Sequence, residues 1–341
     1  MMQMINTVIL ATRSQLVTAE RNGSGWREIH RSLEGKEVTA VIAREGVIIA
    51  GTTEGLFRSG DWGQSWKAIN EGLTHRHIRW LAFHPEISDL ELAGTEPAGI
   101  FVSRDGGDSW EKRPEVSALR DKHKWWLPYS PEAGCVRGFA IHGQRAYAAV
   151  EVGGVLRSDD RGLTWGLAPG SDGEPAFREP KPGFIHADVH SVAVHPSSPD
   201  LLFAPTNAGF YRSVDGGVTF ERINQYGYTR ACWMDVRDVN HILIGPARGV
   251  DSGGTVLETR DGGLNWVEAT NGLDTPWARH MVERFAQIGE EVWAVLSNGE
   301  VFATEVEAIA WRPVLPDVSG VNAVTTMVGG KMIGGISLNL A

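Results

Sequence analysis

Residues 55–66 read GLFRSGDWGQSW, and the pattern returns as GIFVSRDGGDSW at 99–110, GVLRSDDRGLTW at 154–165, GFYRSVDGGVTF at 209–220 and TVLETRDGGLNW at 255–266. In each copy Ser or Thr stands seven residues before the closing aromatic, Asp five before and Gly three before. Two worn copies flank the five: one ends at Trp26 and keeps Gly23, the other ends at Trp311 and keeps Thr304. The closing aromatics are 40, 44, 55, 55, 46 and 45 residues apart, which makes seven units. The box itself is a turn. Its Asp accepts backbone N–H groups that follow it, Gly supplies a positive φ, and the aromatic packs between units. It is therefore expected to be structural and not the active site.

Units of this length that hold four short strands are the pattern of a propeller. The fifth unit shows the strands as VHSVAVHP, LLFAPT, GFYRSVD and TFERIN, the first two apolar as buried inner strands require. The expected fold is all-β: one seven-bladed β-propeller domain spanning 1–341. The chain enters inside a unit, because TVILATRSQLVTAE aligns with VIIAGTTEGLFRSG, so the first blade lacks its innermost strand. VNAVTTMV at 321–328 is the expected replacement, closing the ring and covering both sheet edges. The segment 331–341 is one strand more than this count needs.

The boxes resemble those of the Asp-box, or BNR-repeat, propellers over nearly the whole chain. That superfamily includes sialidases, sortilin-type receptors, xyloglucan-degrading hydrolases and a photosystem II assembly factor. The resemblance implies the fold and leaves the function open, because its members do different things. Sialidase activity is not expected: the Phe-Arg-Ile-Pro signature is missing near the start, and sialidases use six blades.

Composition narrows the classes. Acidic residues exceed basic ones by 42 to 32, a net charge of −10, which argues against nucleic-acid binding. Two cysteines, Cys135 and Cys232, make neither a disulfide framework nor a Cys-rich zinc site. The opening residues lack a basic n-region, and no apolar run reaches the ~18 residues of a membrane span, so a cytoplasmic protein without a membrane partner is expected. No nucleotide or redox-cofactor motif occurs.

Aligning the units places Thr39, Arg79, Arg137, His190, Cys232, Glu283 and Ala323 around one mouth of the central channel. His77, Asp188 and Arg230 stand two residues earlier. Thr53, Glu96, Glu151, Asn207, Arg248, Ser297 and Ser337 end the second strands. The box turns fall on the opposite face. The polar groups gather in blades 3 to 7, either as a pocket or as a water-filled channel whose charges satisfy one another. Two insertions, at about 112–134 and 168–187, are expected to cover this face, the first offering Trp125 and Trp126 for stacking on a flat or sugar-like ligand.

The candidate chemistry follows. His186, Asp188 and His190 alternate on one side of an extended segment and suit one divalent metal ion, with Glu151 as a further ligand. The other reading of the cluster is His190 as general base oriented by Asp188, with Glu151 in acid–base work. Arg79, Arg137, Arg230 and Arg248 suit a carboxylate or phosphate, with His77, Glu96, Asn207 and Glu283 completing the lining. The function expected is a hydrolase or lyase, glycoside-hydrolase-like, on a small polar, anionic or carbohydrate-like ligand. The alternative is a non-catalytic propeller that recognises a protein or peptide.

Overall fold

A computed structural model describes residues 6–130 and 133–327. They form seven four-stranded antiparallel sheets arranged as a ring. The innermost strands, in order around the axis from blade 2, are Val38–Arg44, His77–Phe83, Cys135–His142, Ala193–Val194, Tyr228–Asp235, Val282–Ile288 and Val321–Thr326. The last completes blade 1: it pairs with Thr7–Thr12 in the register Val8↔Thr326 to Ala11↔Ala323. The expected seven-bladed propeller and its closure by both ends of the chain are what the structure shows. The segment 331–341, with Ser337, lies outside the described residues.

Apolar clusters sit between blades rather than within them. Trp80 and Leu92 of blade 3 pack with Val136 and Phe139 of blade 4. Glycines in the second strands let neighbouring blades approach. A Cβ on Gly51 would come within 2.5 Å of Ile78 Cγ2, and one on Gly94 within 2.7 Å of Val136 Cγ1. Ile78 and Val136 directly precede Arg79 and Arg137, so these contacts set the depth of the mouth residues.

The boxes close as hydrogen-bonded turns. In blade 4, Ser158 Oγ donates to Asp160 Oδ1 at 2.7 Å and accepts Gly162 N–H at 2.9 Å, while Asp160 takes Thr164 N–H at 2.8 Å. The same pattern recurs on Asp61, Asp105, Asp215 and Asp261. His84 and His195 bridge blades on this side through Nε2 to Gly143 O (3.0 Å) and Asp235 O (3.2 Å).

A feature absent from the alternating sequence pattern shapes the mouth. The innermost strands carry β-bulges between Val38 and Ala40, Ile78 and Trp80, Val136 and Gly138, Thr229 and Cys232, and Val282 and Arg284. Thr39, Arg79, Arg137 and Glu283 are the extra residues, lifted out of the ladder toward the bore. In blade 6 the bulge holds Arg230 and Ala231, so Cys232 returns to the ladder opposite Ile244 and packs in an apolar cluster. The mouth position expected for Cys232 belongs to Arg230. Ala323 is likewise buried among Ile9, Val41 and Ala50, and its neighbour Asn322 reaches Val38 O at 2.9 Å.

The first insertion differs from the covering loop expected. Pro114–His123 is a helix, with Pro in its first turn and a left-handed cap at Lys124. It lies along the flank, where Glu115 Oε1 accepts Trp165 N–H at 3.0 Å. After the helix, Tyr129 reaches Glu151 at the mouth, and Trp125 and Trp126 meet Gly173 and Phe177 of the second insertion.

Candidate functional site at the channel mouth

The mouth is organised by two guanidinium groups shared among carboxylates. Arg137 donates to Glu151 Oε2 at 3.2 Å through Nη1 and to Glu283 through Nη2. Arg230 donates through Nη1 to Glu283 Oε2 at 2.7 Å and to Asp251 Oδ1 at 3.2 Å. Glu151 Oε2 also accepts the Tyr129 hydroxyl at 2.8 Å and the Cys135 thiol at 3.2 Å. Burial alone would raise Glu151, yet Arg137, His190 and these donors hold its carboxyl at about 2. Glu283 is held still lower, against its burial, by Arg230 and Arg137.

Beside this network, Glu151, Asp188 and His190 each offer a ligand atom within 4.8 Å of the others. His190 Nε2 lies 3.3 Å from Asp188 Oδ2, and its Nδ1 lies 2.7 Å from Thr229 O. The Tyr228 ring stacks at a tilt, 4.4 Å from the imidazole. His186 does not join them. In blade 5 the regular inner strand is only Ala193–Val194, with an isolated bridge at Val189, so the alternation expected over 186–190 does not form. His186 Nδ1 instead accepts Asp188 N–H at 3.1 Å.

Of the other expected site residues, some gather and some do not. Arg79 and His77 of blade 3 face Glu96 at 3.5 and 3.9 Å. Asn207 is half-buried beyond the second strand of blade 5, and its N–H bonds Asp188 O at 3.1 Å. Arg248 is a correction: it is exposed in a blade 6 loop and makes no ion pair among the described residues. Trp125 is another. At 2% exposure it belongs to the core between blades 3 and 4, with Nε1 donating to Gly173 O at 2.8 Å, so it cannot close over a ligand. Trp126 is 41% exposed and meets Phe177 of the second insertion edge-on at 5.8 Å. Phe177 in turn lies 6.2 Å from the His186 ring.

Arg284 was missed by the sequence reading. It follows Glu283 at the bulge, which lets two consecutive residues enter the bore. Its guanidinium lies 4.0 Å over the Trp80 ring and donates to Thr39 O at 3.3 Å, while Nε has no partner among the described residues. Burial pulls it down to about 9. Below these groups the bore is a cavity of about 80 Å³, lined by Trp80, Phe139, Ser191 and Cys232 among others. That is room for a few waters or an ion, not for a sugar ring. A larger ligand would have to sit on the rim.

No family model matches the chain. A xyloglucanase of Hypocrea jecorina is 26% identical over 190 residues, 52% of this chain and 21% of the relative. The chain thus spans about a fifth of that relative's length. Among solved structures, an ancestral GH74 enzyme superposes with TM-score 0.60 at 17% identity, over 85% of this chain and 38% of the other. YCF48 bound to D1 peptide superposes with TM-score 0.59 at 13% identity, over 89% and 95%. At such identities the likeness to these structures is one of fold. Among the described residues no helix is long and apolar enough to cross a membrane.

Proposed function

We propose that the chain is a recognition propeller that takes a carbohydrate-like ligand on the rim of the polar mouth, beside Trp126 and Phe177, and releases it unchanged. One observation carries the reading: the two insertions meet in an exposed aromatic pair directly beside a mouth whose Glu151 and Glu283 are already ion-paired. Aromatic faces suit sugar rings, which present C–H groups to stack and hydroxyls to bond. Acid catalysis of glycoside cleavage needs a carboxyl that keeps its proton near neutrality. Glu151 at about 2, and Glu283 below it, do not. The xyloglucanase relative supports a carbohydrate as the ligand class. The boxes support an Asp-box propeller as its superfamily.

The hydrolase reading is the second one, favoured by that same relative. A third partner class, a peptide, finds support in the YCF48 structure. One experiment separates them. Xyloglucan oligosaccharides are titrated calorimetrically into the protein, and release of reducing ends is followed in parallel. Binding without release, weakened at least tenfold by Trp126→Ala, is the expected result. Reducing ends released by the wild type would establish the hydrolase. Absence of binding, or binding indifferent to Trp126, would remove the carbohydrate reading.

A further inference from the structure

We infer that Glu151, Asp188 and His190 form a binding site for one divalent transition-metal ion of the zinc class. His190 Nδ1 lies 2.7 Å from Thr229 O, a group that only accepts, so Nδ1 carries the hydrogen. That leaves Nε2 as the ring's ligand atom. That atom is buried, in a residue only 2% exposed, and has no hydrogen-bond partner among the described residues. It stands 3.3 Å from Asp188 Oδ2 without hydrogen-bond geometry. Asp188, 5% exposed, likewise leaves its Oδ1 unpartnered among the described residues.

An unpartnered ring nitrogen held beside a carboxylate in a dry site calls for a positive charge between them. The separation fits an ion. Two ligands on a tetrahedral centre with bonds of roughly 2.0–2.1 Å are about 3.3–3.4 Å apart. The Nδ1–H···O=C bond is also the support that metal-bound histidines use to fix ring and tautomer. Charge agrees. Arg137 serves both Glu151 and Glu283, and Arg230 serves Glu283 and Asp251, so no Lys or Arg is paired with Asp188 among the described residues. Glu151 Oε2 is engaged by Arg137, Tyr129 and Cys135, which leaves Oε1 as its available ligand atom. One nitrogen and two carboxylates favour zinc over magnesium or calcium, which prefer all-oxygen shells. Water or a ligand from the mouth would take the fourth position.

The site is tested on the whole chain, stripped with a chelator and returned to metal-free buffer. Zn²⁺ is titrated calorimetrically, with Mg²⁺ and Ca²⁺ as controls, and Co²⁺ is followed by its visible absorption. The expected result is one Zn²⁺ per chain, a raised melting temperature, and a four-coordinate cobalt spectrum. His190→Gln and Asp188→Asn each weaken zinc at least tenfold while retaining the circular-dichroism spectrum. Wild-type protein that takes up no stoichiometric Zn²⁺ or Co²⁺ overturns the site, whether or not the variants fold. So does uptake unchanged in a folded His190→Gln/Asp188→Asn double variant. No glycan enters the experiment, so its outcome is independent of the carbohydrate reading.

Discussion

Glu283 of blade 7 reaches across the bore to the guanidinium of Arg137 on blade 4, tying together two innermost strands three blades apart. The same carboxylate takes Arg230 of blade 6 at 2.7 Å. Removing its charge leaves two buried cations facing each other with one partner fewer. Glu283→Gln is expected to cost about 3 kcal/mol of unfolding free energy, measured in urea, because an orphaned buried charge keeps its desolvation cost. Glu221→Gln, which breaks an exposed pair with Arg212, is the control and should cost under about 1 kcal/mol. Equal effects of the two would show that the bore network is no more than a surface feature.

The contact between Gly51 and Ile78 gives a second prediction. A methyl at Gly51 would come within 2.5 Å of Ile78 Cγ2 and 2.9 Å of its Cβ, both side-chain atoms of the next blade. Gly51→Ala should therefore destabilise by about 1–3 kcal/mol through overpacking. Ile78→Ala alone opens a cavity and costs about 2–5 kcal/mol. In the double variant the new methyl occupies part of that cavity, so the combined loss should fall short of the sum by more than about 0.5 kcal/mol. Strict additivity would mean that the two side chains do not meet.

The box turns give a third. Ser158 is 2% exposed and its hydroxyl answers three groups: Asp160 Oδ1, Gly162 N–H and Asp160 N–H. Ser158→Ala strands a buried Gly162 N–H and should cost about 1–3 kcal/mol. Proton exchange should accelerate at Gly162 more than at Gly217, whose box keeps Ser213. Uniform exchange at both glycines would count against the local account.

These boxes were legible in the sequence because their hydrogen bonds are local: Ser158, Asp160, Gly162 and Thr164 meet within one turn, whatever surrounds them. The ring closure was legible because an open blade would leave strand edges unpaired. The mouth was legible only in part. A bulge breaks the alternation of side chains, which hid Arg284 behind Glu283 and placed Cys232 one step too high. His186 was misplaced because its segment, although read as extended, lacks the ladder that would alternate it. Trp125 and Trp126 are neighbours in one loop, and only the packing of the helix Pro114–His123 and Gly173 decides that the first is core and the second rim.

Glu91 supplies a pH-dependent test away from the mouth. It begins the second strand of blade 3, is 1% exposed, and its Oε2 has no hydrogen-bond partner among the described residues. Burial pushes its carboxyl up to about 7, although the Ser103 hydroxyl and the charge of Arg44 pull the other way. The sign follows from linkage. Below the unfolded value near 4.5 both states hold the proton, and the side chain carries no penalty. Between there and 7 the unfolded chain releases its proton while the folded one keeps it, so stability falls as pH rises. Above 7 the folded protein carries a buried anion. Glu91→Gln keeps the shape and removes the titration. The variant should match wild type near pH 4 and exceed it at pH 8, by up to about 3 kcal/mol in urea unfolding. Parallel stability curves for the two proteins from pH 4 to pH 8 would mean that Glu91 finds a partner or water that its buried oxygen lacks here.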